Sequence, residues 1–239
     1  MLPIISLIGI VSSGKRTLGR RLAEEFGLYY FSVGDFFRSM CEAPLEAEVR
    51  RRVEDYEGGE FITIDDLKEL CKPLPPSVYM PAYIRQFKDS RETIPYDIAI
   101  PLLEEKMQTL SWELACNYKY KGILLDGFPR ELDHFMAAEK IQDDTKLVIH
   151  LGCHPEVARA RFARHVGSAD DISAFEDRLG SFLHNLPDLV SHLESKQILL
   201  TSPNEGNLTI DEAYGILVNL LSSNEQWRAI VGPTYFPLF

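Results

Sequence analysis

The 239-residue sequence has no apolar run near the roughly 20 residues needed to cross a bilayer; its longest stretches are of strand length. It is also short of positive charge. Lys and Arg number 25 against 36 Asp and Glu, a net charge of -11. A non-specific binder of nucleic acid or of an anionic membrane needs a broad positive surface, so neither partner is expected. Cysteine is sparse, at Cys41, Cys71, Cys116 and Cys153, without metal-ligand spacing. This usage predicts free, buried thiols of a reducing compartment. No internal repeat and no basic-then-apolar leader stands out. A cytoplasmic protein is expected, with nuclear or organellar residence also open.

What is present is a series of short apolar runs: residues 3–9, 28–32, 122–127, 147–152 and 197–202. They are nearly continuous in hydrophobicity, as expected of strands covered on both faces. Between the first two, Leu18, Leu22, Ala23 and Phe26 share one helical face, closed by Gly27. The order strand, helix, strand predicts a parallel α/β sheet with ligand loops at the carboxyl ends of its strands.

Two regions break this rhythm. From Cys41 to about Pro101 the chain is charged and punctuated by proline. It reads as a mostly helical insertion with a Pro-rich turn around Cys71 to Pro81. The end of the chain, residues 222–239, is apolar and aromatic without evident period. It reads as a tail that docks on the body or on a second subunit.

The stretch GIVSSGKRT, Gly9 to Thr17, carries the phosphate-loop spacing G-x-x-x-x-G-K. Gly9 and Gly14 permit backbone conformations in which consecutive N–H groups turn toward phosphate oxygens. The following helix adds its positive end, and Lys15 a mobile cation. An apolar strand precedes the loop and an amphipathic helix follows, which is the context the motif requires. Ser12, Ser13, Arg16 and Thr17 complete the candidate ATP-binding stretch.

Two further blocks, SVGDFFR (Ser32 to Arg38) and LLDGFPR (Leu124 to Arg130), follow the second strand and end the third. Together the three blocks resemble the signature loops of the nucleoside monophosphate kinases, the adenylate kinase and UMP-CMP kinase family. The resemblance runs from Leu2 to about Leu221, with 41–93 poorly matched. It implies a single three-layer α/β P-loop domain with a five-stranded parallel sheet. The core is then 1–34, 102–160 and 179–221, with an enlarged acceptor-binding insertion over 35–101 and a short lid over 161–178. It implies transfer of the γ-phosphoryl group of ATP to a monophosphate with Mg²⁺, Asp126 holding the metal through water. Phosphoryl transfer needs converging cations rather than a general base. By the resemblance Lys15, Arg38, Arg130, Arg161 and Arg178 are those cations. Arg161 and His165 also reach ATP, while Val33, Gly34, Arg38, Gly127, Arg130 and His134 face the acceptor.

The sequence departs from the pattern in three places. Arg16 replaces the usual loop glycine and either adds charge to the ATP phosphates or points to solvent, the second reading being slightly favoured. His165 stands where a lid arginine is expected, and Gly167, Ser168 and Ala169 stand where another should be, so turnover is expected to be reduced. Val33, Asp133 and His134 at the base-reading positions lean toward UMP or CMP, with AMP retained. The alternatives are a degenerate, weakly active nucleotide-binding member and a kinase for a non-standard small-molecule acceptor. A monomer is expected, with the 41–93 region or the tail as the place for any protein contact.

Overall fold

In a computed structural model the described residues are 2–56, 62–74, 76–90, 94–116, 118–164, 169–204, 206 and 208–232. Five strands alternate with helices along the chain. β1 (Ile4–Ile8) leads into α1 (Lys15–Phe26), then β2 (Tyr29–Ser32) and α2 (Val33–Glu42). Next come α3 (Ala47–Glu54), α4 (Ile64–Leu70), α5 (Pro76–Ser90) and the long α6 (Tyr96–Ala115). β3 (Ile123–Asp126), α7 (Leu132–Ala137), α8 (Glu139–Asp144) and β4 (Thr145–Gly152) follow. The chain continues through α9 (Pro155–Ala163), α10 (Ala169–Ser195), β5 (Leu199–Pro203), α11 (Ile210–Ser223) and α12 (Glu225–Val231).

The strands form one parallel sheet in the order β2-β3-β1-β4-β5. β1 is central, so the loop after it opens where the strand order reverses, the usual ligand crevice of such sheets. In β1, β3 and most of β4 strand residues of both parities are buried, as their continuous hydrophobicity demands, while the edge strands β2 and β5 are mostly half-buried. Ile5, Leu7, Leu124, Leu147, Ile149 and Leu151 pack with α1, α11 and α12 on one face, while Ile4, Ile8, Ile123, Leu125 and Val148 alternate with them and are equally buried. The result is the three-layer α/β arrangement expected from the sequence.

The chain divides into two compact units, residues 1–33 with 100–239 and residues 34–99. The second unit is helical and internally well fastened. Arg85 donates from Nε to the Cys41 carbonyl at 2.8 Å and from a terminal nitrogen to Ala43 at 2.5 Å, beyond the end of α2. Arg52 does the same for α4, donating to the carbonyls of Leu70 at 2.6 Å and Lys72 at 2.8 Å. These bonds satisfy carbonyls that a helix end leaves without intrahelical donors. The Pro-rich stretch expected as a turn is a turn only over 71–74. Pro76 opens α5, where a missing N–H costs nothing, and Pro81 lies inside the helix.

Two other expectations change. The thiols are all free, but Cys116 is exposed and Cys153 half-buried, with only Cys41 and Cys71 in the interior. Part of the stretch read as a tail is a helix: in α12 Trp227 and Val231, spaced i, i+4, are buried in the main core. Trp227 meets Phe26 edge-on at 5.1 Å. Residues 233–239 and His165 lie outside the described residues. No helix among the described residues is long and apolar enough to cross a membrane.

Candidate active site

Gly9 to Thr17 link β1 to α1 as a tight loop. Gly9 has φ +148 and Gly14 φ +92, both in the region side chains avoid. A Cβ on Gly9 would lie 2.8 Å from the Leu151 carbonyl and 3.0 Å from Ser13 Oγ, so the cradle has room only for glycine. Lys15, the first residue of α1, curls back and donates to the carbonyls of Gly9 at 2.6 Å and Ile10 at 2.7 Å. Arg16 and Thr17 are exposed on the first turn of α1. Arg16 is near enough to Tyr30 for its charge to act on that phenol.

Sheet register brings the other blocks alongside. Leu7 is paired with Asp126 across β1 and β3, and Ser32 with Asp126 across β2 and β3. The Gly127 N–H donates to the Leu7 carbonyl at 3.0 Å, tying the third block to the end of β1. Asp126 is buried, and the Tyr30 hydroxyl donates to its Oδ2. The loss of water, and then that bond, raise the Tyr30 pKa well above the usual phenol value.

The cations gather around this carboxylate. Desolvation lowers the Lys15 pKa to about 8; Asp126 and Cys153 oppose the shift, and Arg130 adds to it. Arg130 is itself lowered, first by surrounding protein and then by repulsion from Arg178, with Asp126 again opposing. Lys15, Asp126, Arg130 and Arg178 therefore share one field. Arg178, on α10, donates from Nε to the Ala174 carbonyl at 2.8 Å. Arg161, on α9, reaches Cys153 Sγ at 3.7 Å and Asn204 Oδ1 at 3.4 Å. Its neighbour Arg159 is instead committed to a two-pronged ion pair with Glu176, both contacts at 2.8 Å.

His134 Nε2 lies 2.8 Å from Glu131 Oε1, and the other Glu131 oxygen accepts from Asn185 Nδ2 at 2.6 Å. Burial outweighs the carboxylate, so the His134 pKa falls below 6.5 and the ring is neutral at pH 7. The neutral imidazole is thus the donor of that bond. Val33 is buried at the start of α2. Gly34 and Arg38 belong to the second unit, where Arg38 is held by Asp35 one turn earlier.

Sequence reasoning missed Tyr30, Asn204 and Glu131. Tyr30 sat inside an apolar run and was read as core. Asn204 lies 191 residues from Ser13, whose carbonyl accepts from its Nδ2. A polar residue just after β5 was the one available signal, since that is where ligand loops lie.

The residues present suit a triphosphate with magnesium. The glycine cradle, the Lys15 ammonium and a buried Ser13 Oγ without a hydrogen-bond partner among the described residues all lie at one point. Among the described residues there is no group of three or more His, Cys, Asp and Glu able to cage a metal. Magnesium commonly takes one or two carboxylates, its own waters and substrate phosphates, which Asp126 can serve through Oδ1.

No family model matches the chain. Individual proteins do. It is 23% identical to the UMP-CMP kinase of Mus musculus over 224 residues, covering 91% of this chain and 95% of that one. It is 24% identical to adenylate kinase isoenzyme 1 of Caenorhabditis elegans over 220 residues, 90% of this chain and 86% of that one. Adenylate kinase isoenzyme 5 of Mus musculus is 25% identical over 202 residues, which span 29% of that longer protein. Similarity to both kinds of kinase over most of the chain, together with a glycine loop and a strand-ending aspartate on one parallel sheet, supports the resemblance to the nucleoside monophosphate kinases.

Proposed function

We propose that the protein is an ATP-dependent phosphotransferase that moves the γ-phosphoryl group of ATP to a nucleoside monophosphate, AMP, UMP or CMP, giving two diphosphates. The observation that carries this reading is the shared field of Lys15, Asp126, Arg130 and Arg178 at the mouth of the glycine loop. A phosphate monoester is already an anionic nucleophile, so the chain has to supply positive charge, orientation and dryness rather than a base.

In this reading the loop N–H groups and Lys15 bind the ATP phosphates. Lys15 gives up its carbonyl contacts for phosphate oxygens, which are stronger acceptors because they are charged. Arg130 and Arg178 bind the oxygens on which charge accumulates, and a guanidinium fixes two of them in one plane. Mg²⁺, when bound, neutralises phosphate charge, and Asp126 would hold its water shell while Tyr30 fixes the carboxylate's rotation. Arg38 is assigned to the acceptor's phosphate by the resemblance alone. His134, neutral and held by Glu131, stands as an uncharged reader of the acceptor's base.

The test is diphosphate formation by purified protein with ATP, Mg²⁺ and a panel of AMP, UMP, CMP, GMP and their deoxy forms. Product from at least one acceptor is expected. Lys15→Ala and Arg130→Ala should each lower kcat/KM by at least about a hundredfold while the protein stays folded, the scale of losing one charge-stabilising donor. Absence of product from every acceptor would remove the reading. So would near-normal turnover by Lys15→Ala.

A further inference from the structure

Asn204 sits immediately after β5, and its backbone N–H donates to the Gly152 carbonyl at 2.6 Å, extending the β4–β5 ladder by one bond. Its side chain is buried and engaged at both ends. Nδ2 donates to the carbonyl of Ser13 in the glycine loop, and Oδ1 accepts from Arg161 at 3.4 Å. These partners fix which way the amide points. Turned over, it would set oxygen against the Ser13 carbonyl and an NH₂ against a guanidinium, two repulsions in place of two bonds.

The bond to Ser13 has a consequence for the loop. In a trans peptide the C=O and the next N–H point in opposite directions. Fastening the Ser13 carbonyl to Asn204 therefore aims the Gly14 N–H away from Asn204. Nδ2 also lies 3.1 Å from where a Cβ of Gly14 would be, so the amide is packed on the very residue whose N–H it orients.

We propose that Asn204 is a positioning residue for triphosphate binding: it locks the Ser13–Gly14 peptide of the phosphate loop and fastens Arg161 to the same point. The inference rests on the reading that this loop holds ATP. It assigns the β5–α11 connection a role in the phosphate site, reached through the loop backbone rather than by contact with substrate.

Asn204→Ala and Asn204→Asp separate this role from plain packing. Asp keeps the shape and strengthens the pairing with Arg161, but loses the donor and faces the Ser13 carbonyl with an oxygen. If Asn204 served only to hold Arg161, Asp would bind ATP as well as Asn. With the loop locked through the donor, both variants should bind ATP and inorganic tripolyphosphate about tenfold more weakly, the scale of one lost buried hydrogen bond. Calorimetric titration without Mg²⁺ reads this directly, independent of turnover. The KM for the acceptor should stay within about twofold, because neither bond made by Asn204 reaches that side. Should either variant fail to fold, wild-type protein supplies the answer by NMR. Tripolyphosphate should shift both the Gly14 amide and the Asn204 side-chain amide resonances. Equal triphosphate affinity in all three proteins, or Asn204 resonances that do not move, would overturn the assignment alone. Wild-type protein that binds neither ATP nor tripolyphosphate would overturn both it and the kinase reading.

Discussion

In the proposed reading Lys15 makes ATP binding a proton-linked event, and the size of the linkage follows from its surroundings. In the free protein its pKa is lowered from 10.5 to about 8, chiefly because the loop and strands strip water from the ammonium. At pH 7, 8 and 9 the free side chain is then neutral in about 0.1, 0.5 and 0.9 of molecules. Triphosphate oxygens at the cradle favour the charged form and lift the pKa back well above 9. Binding should therefore take up about 0.1, 0.5 and 0.9 of a proton at those three values. The affinity should fall about tenfold from pH 7 to pH 9, or about 1.4 kcal/mol. The two bonds from Nζ to the Gly9 and Ile10 carbonyls favour the charged form in the free protein, so tenfold is the upper bound. Calorimetry in two buffers of different ionisation enthalpy measures the uptake. Cys153 also couples to Lys15, and repeating the titration with Cys153→Ser isolates the ammonium. No proton uptake at pH 8, with an affinity flat from 7 to 9, would refute the account of a desolvated lysine.

Three other outcomes follow. Gly9→Ala should lose measurable ATP binding and about 1–3 kcal/mol of stability in urea titration, because its Cβ would meet the Leu151 carbonyl at 2.8 Å; wild-type binding would mean the cradle is looser than this. Trp227→Ala should cost about 3–5 kcal/mol, since the ring is wholly buried against Phe26 and the sheet; a loss below about 1 kcal/mol would return α12 to the status of a tail. His134 and His150 both have pKa values lowered by burial, His150 also by Lys15. A lowered histidine resists protonation only while folded, so stability from these groups is full above pH 6.5 and declines as pH falls below it. Tm measured from pH 7.5 to 5.5 should drop, less so in His134→Gln; a Tm rising toward pH 5.5 would contradict the sign.

Much of the fold was legible in the residues because its signals are local. Strands buried on both faces are apolar nearly throughout, so β1, β3 and β4 announced themselves as short continuous runs, and the half-buried edge strands β2 and β5 did so more weakly. α1 declared its buried face through Leu18, Leu22, Ala23 and Phe26 and its end through Gly27. The glycine loop was readable because its geometry constrains its own composition. α12 was not, because seven residues carry too little period to stand out from an aromatic tail; its helix is justified by where Trp227 packs. The turn expected near Pro81 failed for a related reason, since burial of Tyr79, Met80, Tyr83, Ile84 and Phe87 outweighs the one backbone bond that proline removes.

By itself the sequence determined the family it resembles, the order of the strands and the chemical types at the site: a glycine loop, a lysine, a strand-ending aspartate and several arginines. Only tertiary structure decided how these charges act on each other. The field on Lys15 comes from Asp126, Arg130 and Cys153, all more than a hundred residues away, and Arg159 is committed to Glu176 on a different helix. The same holds for Tyr30 on Asp126 and Asn204 on Ser13, contacts spanning 96 and 191 residues. Backbone geometry imprints itself on neighbouring residues, whereas a field or a long-range hydrogen bond is specified by the packed sheet that brings its partners together.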